Sequence, residues 1–139
     1  IMPNMEGIQN TISLGLDSSN LDAEQVDFVS AHATGTKIGD VTEAKAIQNI
    51  YGNSPYVSGL KSYVGHTMAA CGGIETMFTL YMMKDGFLAP TLNLEEIDPR
   101  CDIISHVQQV RKADINIATI QNFAFGGVNT CLFLKRFDN

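Results

Sequence analysis

The stretch Gly59-Leu-Lys-Ser-Tyr-Val-Gly-His-Thr-Met-Ala-Ala-Cys-Gly-Gly-Ile-Glu75 decides how the chain reads. A short apolar run, Tyr56 to Leu60, leads into Lys61 and predicts a strand. Gly65 and His66 follow. From Met68 to Met83 the single charged residue is Glu75, and the other polar groups are Thr76 and Thr79. That pattern predicts a helix apolar nearly all round, which belongs inside a domain. It is shorter than the roughly 18 to 20 residues that a membrane span needs. The small residues from Ala69 to Gly73 let other backbone pack close to it. Lys61 and His66 therefore stand between a strand end and a helix start.

Outward from this centre, helices and strands alternate. Upstream, Met5, Ile8, Ile12 and Leu16 are spaced like one face of a helix with Pro3 at its start, although Gly7 and Gly15 weaken that pattern. Asp17 to Glu24 is polar and reads as a loop. Val26 to Ala31 is rich in β-formers and predicts a strand, followed by a loop from His32 to Gly39. A helix is expected from Asp40 to Tyr51, with Val41, Ala44, Ile47 and Ile50 on one face, ended by Gly52-Asn-Ser-Pro55. Downstream, Asp85-Gly86 closes the apolar helix. Phe87 to Ala113, with Pro90 and Asp98-Pro99, reads as mostly irregular. Asp114 to Phe123 predicts a strand, Gly126-Gly127 a tight turn, and Thr130 to Arg136 a final antiparallel strand. There is no internal repeat and no linker, so residues 1–139 read as one α/β layered domain.

Composition narrows the function classes. The chain has 139 residues, enough for one core. Its net charge of -6 and the lack of a basic run argue against nucleic acid as a partner. The first residues lack the basic and apolar regions of a signal peptide. Three widely spaced Cys do not suggest a disulfide framework. A reducing, cytoplasmic setting without membrane attachment is the expectation.

Three strand ends carry candidate chemistry. The first is His32 after Ala31, the second runs from Lys61 to His66, and the third is the Gly-rich loop Phe123-Ala-Phe-Gly-Gly-Val-Asn129. In α/β sheets such ends collect sites, so the three loops are expected to form one cleft. His66 near a helix start faces the positive end of the dipole, and a neutral imidazole there can donate to a carbonyl or enolate oxygen. Glu75 on an apolar helix needs a partner, and Lys61 is the nearest candidate. His106, in the irregular stretch, reads as a surface residue. Metal-ligand spacing is missing: there is no Cys-x-x-Cys and no His-Glu-x-x-His. The cysteines read as structural, with Cys71 inside the apolar helix, Cys131 in a strand and Cys101 in a loop.

At these loops the sequence resembles a known family. Val29-Ser-Ala-His-Ala-Thr-Gly-Thr-Lys-Ile-Gly-Asp-Val-Thr-Glu43 resembles the first histidine motif of β-ketoacyl-acyl carrier protein synthases. Leu60-Lys-Ser-Tyr-Val-Gly-His66 resembles their lysine and second-histidine motif, and Asn122-Phe-Ala-Phe-Gly-Gly-Val-Asn129 their closing loop. Thr91-Leu-Asn-Leu and Asp98-Pro-Arg-Cys-Asp102 also fit, and the motifs occur in family order over nearly the whole chain. The resemblance implies a thiolase-like fold, here its C-terminal half, with a mixed sheet and helices on both faces.

It also implies decarboxylative Claisen condensation of an acyl thioester with malonyl-acyl carrier protein, in fatty acid or polyketide-type synthesis. No cofactor is expected; substrates ride on the phosphopantetheine arm of acyl carrier protein, the expected partner. The full-length protein is expected as a homodimer or heterodimer. By match, His32 and His66 stabilise the enolate and Lys61 sets the electrostatics with Glu75. Thr34 and Thr36 contact the pantetheine arm, and Phe125 is the aromatic gate. Asp40 and Glu43 support the site from below. His at position 66 places the chain with the elongating Cys-His-His branch. Ala33 and Ala124 stand where Gly is usual, and Cys71 and Gly73 vary the usual small-residue run. The family's nucleophilic Cys belongs to an N-terminal half that this chain does not match, so the chain alone is expected to be inactive. A non-catalytic subunit of the chain-length-factor type and a decarboxylase-only relative are the alternatives.

Overall fold

In the computed structural model, which describes residues 4–137, four helices and seven strands follow one another. Helix α1 spans Met5–Ser19, α2 Gly39–Tyr51, α3 Lys61–Val64 and α4 Cys71–Asp85. The strands are β1 Phe28–Ser30, β2 Tyr56–Ser58, β3 Phe87–Leu88, β4 Ser105–His106, β5 Arg111–Lys112, β6 Ile117–Phe123 and β7 Asn129–Lys135. Five strands form one sheet in the order β4-β2-β1-β6-β7. The first four lie parallel, and β7 returns antiparallel along β6. Strands β3 and β5 pair separately. This is the expected mixed sheet.

Alternation along the strands sends side chains to both faces. Val29 and Ile117 pack with Ile8, Ile12 and Leu16 of α1 and Ile47 of α2. Phe28 and Ala118 pack on the other face with Leu60 and with Met82 and Met83 of α4. Helices thus cover both sides of the sheet. Helix α1 forms despite its two glycines, because Asn4 caps it and its apolar stripe is buried. Gly15 has a packing reason: a Cβ there would come within 2.7 Å of the Phe133 ring on β7. Pro3, expected at the helix start, lies outside the described residues.

The tight turn at Gly126-Gly127 closes the hairpin with φ of 85° and 80°, a backbone that suits glycine. Three expectations need correction. Helix α4 starts at Cys71, because Met68–Ala70 form a separate 3-10 turn with Met68 at φ 54°. Nor is α4 buried all round: Met77, Leu80 and Tyr81 are 57%, 50% and 56% exposed. The sheet side holds Cys71, Glu75, Thr79, Met82 and Met83, and nothing among the described residues covers the other flank. The third concerns His106, in the stretch from Phe87 to Ala113, which is mostly irregular as expected apart from three two-residue strands. His106 is half-buried in one of them, and its Nε2 lies 2.8 Å from the Cys101 carbonyl, so it is a structural histidine rather than a surface one. Among the described residues no helix is long and apolar enough to cross a membrane.

Candidate active site

Parallel pairing assembles the site. Ser30 of β1 stands in register with Ser58 of β2 and Ile120 of β6. The next residues along each chain therefore emerge at one edge of the sheet: His32 after β1, Lys61 after β2 and Asn122 near the end of β6. The imidazoles of His32 and His66 meet edge to face with their centroids 5.6 Å apart. The ring of Phe123 lies 5.9 Å from that of His32.

Below the histidines is a buried polar knot. Lys61 Nζ donates to Glu75 Oε1 at 2.6 Å, and both residues are buried. This is the pairing expected from the lone carboxylate on the apolar helix. Lys61 Nζ also donates to Asn122 Oδ1 at 3.2 Å, and Asn122 Nδ2 donates to Glu75 Oε2 at 2.8 Å. Asn122 is the residue that motif-matching alone did not single out. Its only advance signal was its place at the start of the closing loop motif.

These contacts set the proton positions. An ammonium only donates and a carboxylate only accepts, so the Asn122 amide has one permitted orientation. Its Oδ1 faces His32 Nδ1 at 3.1 Å. An oxygen acceptor requires a donor, so neutral His32 carries its proton on Nδ1 and leaves the Nε2 lone pair free. Burial, followed by the charge of Lys61, lowers the His32 pKa to about 4. His66 is arranged the other way. The Met68 amide donates to His66 Nδ1 at 3.1 Å, so in the neutral ring the proton sits on Nε2. One imidazole therefore offers an acceptor at Nε2, and the other a donor.

The loop after β1 is held from beneath. Buried Glu43 accepts from the amides of His32 at 2.7 Å and Ala33 at 2.8 Å. Burial pushes its carboxyl up to about 7 against the pull of those two amides. Asp40 accepts from the Thr36 amide at 3.1 Å, and burial raises its pKa as well. Thr34 and Thr36 stand side by side on this loop, their hydroxyls 3.4 Å apart. Ala33 takes φ 34°, a left-handed backbone that suits glycine better. Ala124, by contrast, is extended and unstrained. Phe125 opens the 3-10 turn Phe125–Gly127, and its side chain lies outside the described residues.

Two of the cysteines are shifted away from the thiolate form. Burial pushes Cys131 up to about 11 and raises Cys101. Cys71 is buried against His66. Among the described residues no group of three or more His, Cys, Asp or Glu side chains is placed to hold a metal ion.

Comparison with known proteins fits this geometry. The chain is 34% identical to 3-oxoacyl-[acyl-carrier-protein] synthase 1 of Buchnera aphidicola, over 99% of its own length and 34% of the relative's. It superposes on the crystal structure of a beta-ketoacyl synthase from Burkholderia phymatum with a TM-score of 0.94. The two are 40% identical, over 99% of this chain and 34% of that one. The ishigamide ketosynthase/chain length factor superposes equally well, at a TM-score of 0.94 and 37% identity, over 99% of this chain and 34% of that one. The chain thus spans about a third of the length of these relatives. The fold is the thiolase-like fold of ketosynthases. Residues 1–95 match the family described as beta-ketoacyl synthase, C-terminal domain, and the chain belongs to that family.

Proposed function

We propose that this chain is the histidine-bearing part of an elongating ketosynthase, an acyltransferase that condenses an acyl thioester with malonyl-acyl carrier protein. The observation that supports this most directly is the pair of imidazoles 5.6 Å apart with opposite proton placement at Nε2. Decarboxylation breaks the bond between the malonyl α-carbon and its carboxylate. Its electron pair moves into an enolate, and carbon dioxide leaves. His66 Nε2–H donates to the developing enolate oxygen, an oxyanion term worth roughly 3 kcal/mol for one such donor. His32 presents a lone pair, so it accepts rather than donates, and it handles the proton or water that accompanies loss of the carboxylate. The two histidines thereby divide roles that sequence matching assigned to both.

Burial, with the charge of Lys61 beside it, holds His32 neutral, and Lys61 is itself held by Glu75 and Asn122. Thr34 and Thr36 sit on the rim loop, where a pantetheine arm carried by acyl carrier protein would pass; Phe125 is the gate by match. No resident cofactor takes part. The full-length protein works as a dimer, homo- or heteromeric, and the exposed flank of α4 is where the remaining part of the ketosynthase packs. The retained His32, Lys61 and His66 favour an enzyme over a chain-length-factor-type subunit. By its match to the family the nucleophilic Cys lies outside residues 1–139, which alone should not condense.

The test uses the full-length ketosynthase with acyl and malonyl carrier-protein thioesters, scored for β-ketoacyl product by mass spectrometry. His32→Ala and His66→Ala should each abolish malonyl decarboxylation. Unchanged decarboxylation in both variants would refute the assignment. Product formed by residues 1–139 alone would show that a nucleophile lies within this chain.

A further inference from the structure

We propose that the Cys71 thiol is a positioning residue that holds His66 in its Nε2–H tautomer, an inference that rests on the ketosynthase reading of His66. Cys71 is the first residue of α4 and is 4% exposed. Its Sγ lies 3.3 Å from His66 Nδ1. The Thr67 hydroxyl donates to the same sulfur at 3.4 Å. With the sulfur accepting from Thr67, the thiol's own proton is free to be donated, and His66 Nδ1 is an acceptor within reach. The Met68 amide donates to Nδ1 as well, at 3.1 Å. Two donors thus converge on one ring nitrogen. A proton on Nδ1 would face both of them, so the neutral ring keeps its proton on Nε2, toward the substrate side.

The backbone around this contact points the same way. Met68 is 76% exposed yet takes φ 54°, a left-handed conformation that a non-glycine residue adopts only when its surroundings impose it. That conformation accompanies the placement of its amide against His66. Thr67, Met68 and Cys71 together form a small cradle around one imidazole nitrogen. The role of Cys71 is to orient a catalytic group, and it touches no substrate.

The experiment measures ring nitrogen shifts of His66 by long-range proton–nitrogen NMR on the full-length ketosynthase with labelled histidine. The wild type should show the Nε2–H tautomer in the neutral form. Cys71→Ser keeps a donor and should preserve it. Cys71→Ala leaves the Met68 amide as the remaining donor, and the Nδ1–H population should rise about fivefold, the effect of losing one ordinary hydrogen bond. In the full-length ketosynthase, kcat for malonyl decarboxylation should fall in Cys71→Ala by the fraction of Nε2–H ring that the NMR shows lost, with KM unchanged and rescue by Cys71→Ser. A wild-type ring protonated on Nδ1, or the same tautomer ratio in Cys71→Ala as in wild type, would overturn the proposal. The wild-type and Cys71→Ser spectra test it even where the alanine variant does not fold. If the tautomer shifts as expected but full-length wild type does not decarboxylate, the ketosynthase reading fails and the Cys71 contact stands.

Discussion

Asn122 Nδ2 donates to Glu75 Oε2 at 2.8 Å, and this contact ties the closing hairpin to the central helix beneath the two histidines. The same amide turns its oxygen to Lys61 and His32, so one side chain links the loop after β1 with α3, α4 and β6. Asn122→Ala leaves the buried Glu75 oxygen and the His32 Nδ1–H without that partner. We expect it to lower stability by about 1–3 kcal/mol and to release the His32 tautomer. Urea unfolding and His32 ring nitrogen shifts measure the two effects, and a variant as stable as wild type would contradict the hub role.

The Lys61–Glu75 pair is buried, so its partners depend on one another. Lys61→Met strands a carboxylate in the interior and should cost about 3–5 kcal/mol. The double variant Lys61→Met, Glu75→Leu removes both charges and should recover most of that loss. Denaturant unfolding of the two single variants and the double one forms the cycle that checks this. Additive losses would mean that the charges act separately.

Ala33 carries a left-handed backbone, fixed by the two amide bonds to Glu43 at positions 32 and 33. Ala33→Gly relieves the Cβ strain but adds freedom to the unfolded chain, and the two effects oppose each other. The strain is the larger, so a gain of up to about 1 kcal/mol is expected. A rise in thermal midpoint without loss of decarboxylation in the full-length enzyme would bear this out; a clear fall would refute it.

The His32 pKa is lowered to about 4 from 6.5. Between these values the unfolded chain binds the proton and the folded chain does not, so this group's stabilising effect is lost as pH falls through that window. Glu43 acts in the opposite sense. Its carboxyl is raised to about 7 from 4.5, so the folded chain holds that proton more tightly and stability declines as pH rises across the interval. His32 should therefore show neutral ring shifts down to about pH 4 in an NMR titration. The stability advantage of wild type over Glu43→Gln should shrink as pH rises from about 5 to 8. A His32 midpoint near its ordinary value, or a gap that widens with pH, would contradict the respective shift.

Local pattern was enough for the elements. The 3.6-residue spacing of Ile8, Ile12 and Leu16 and the β-rich runs at Phe28 and Ile117 report directly on which face is buried, since periodicity is set by backbone geometry. Motif order was enough to nominate His32, Lys61 and His66, and the lone charge on α4 was enough to pair Glu75 with Lys61. Exposure of Met77, Leu80 and Tyr81 was not legible, because an all-apolar helix states that it needs cover on every side and not which side this chain supplies. Nor was the hub at Asn122, or the proton placement on each histidine. Those depend on which atoms from residues 32, 61, 75 and 122, and from residues 66 and 68, come within about 3 Å of one another. Hydrogen bonding is short-ranged and directional, so the parallel register of β1 and β6 decided that His32 offers an acceptor, and the local turn at Met68 decided that His66 donates.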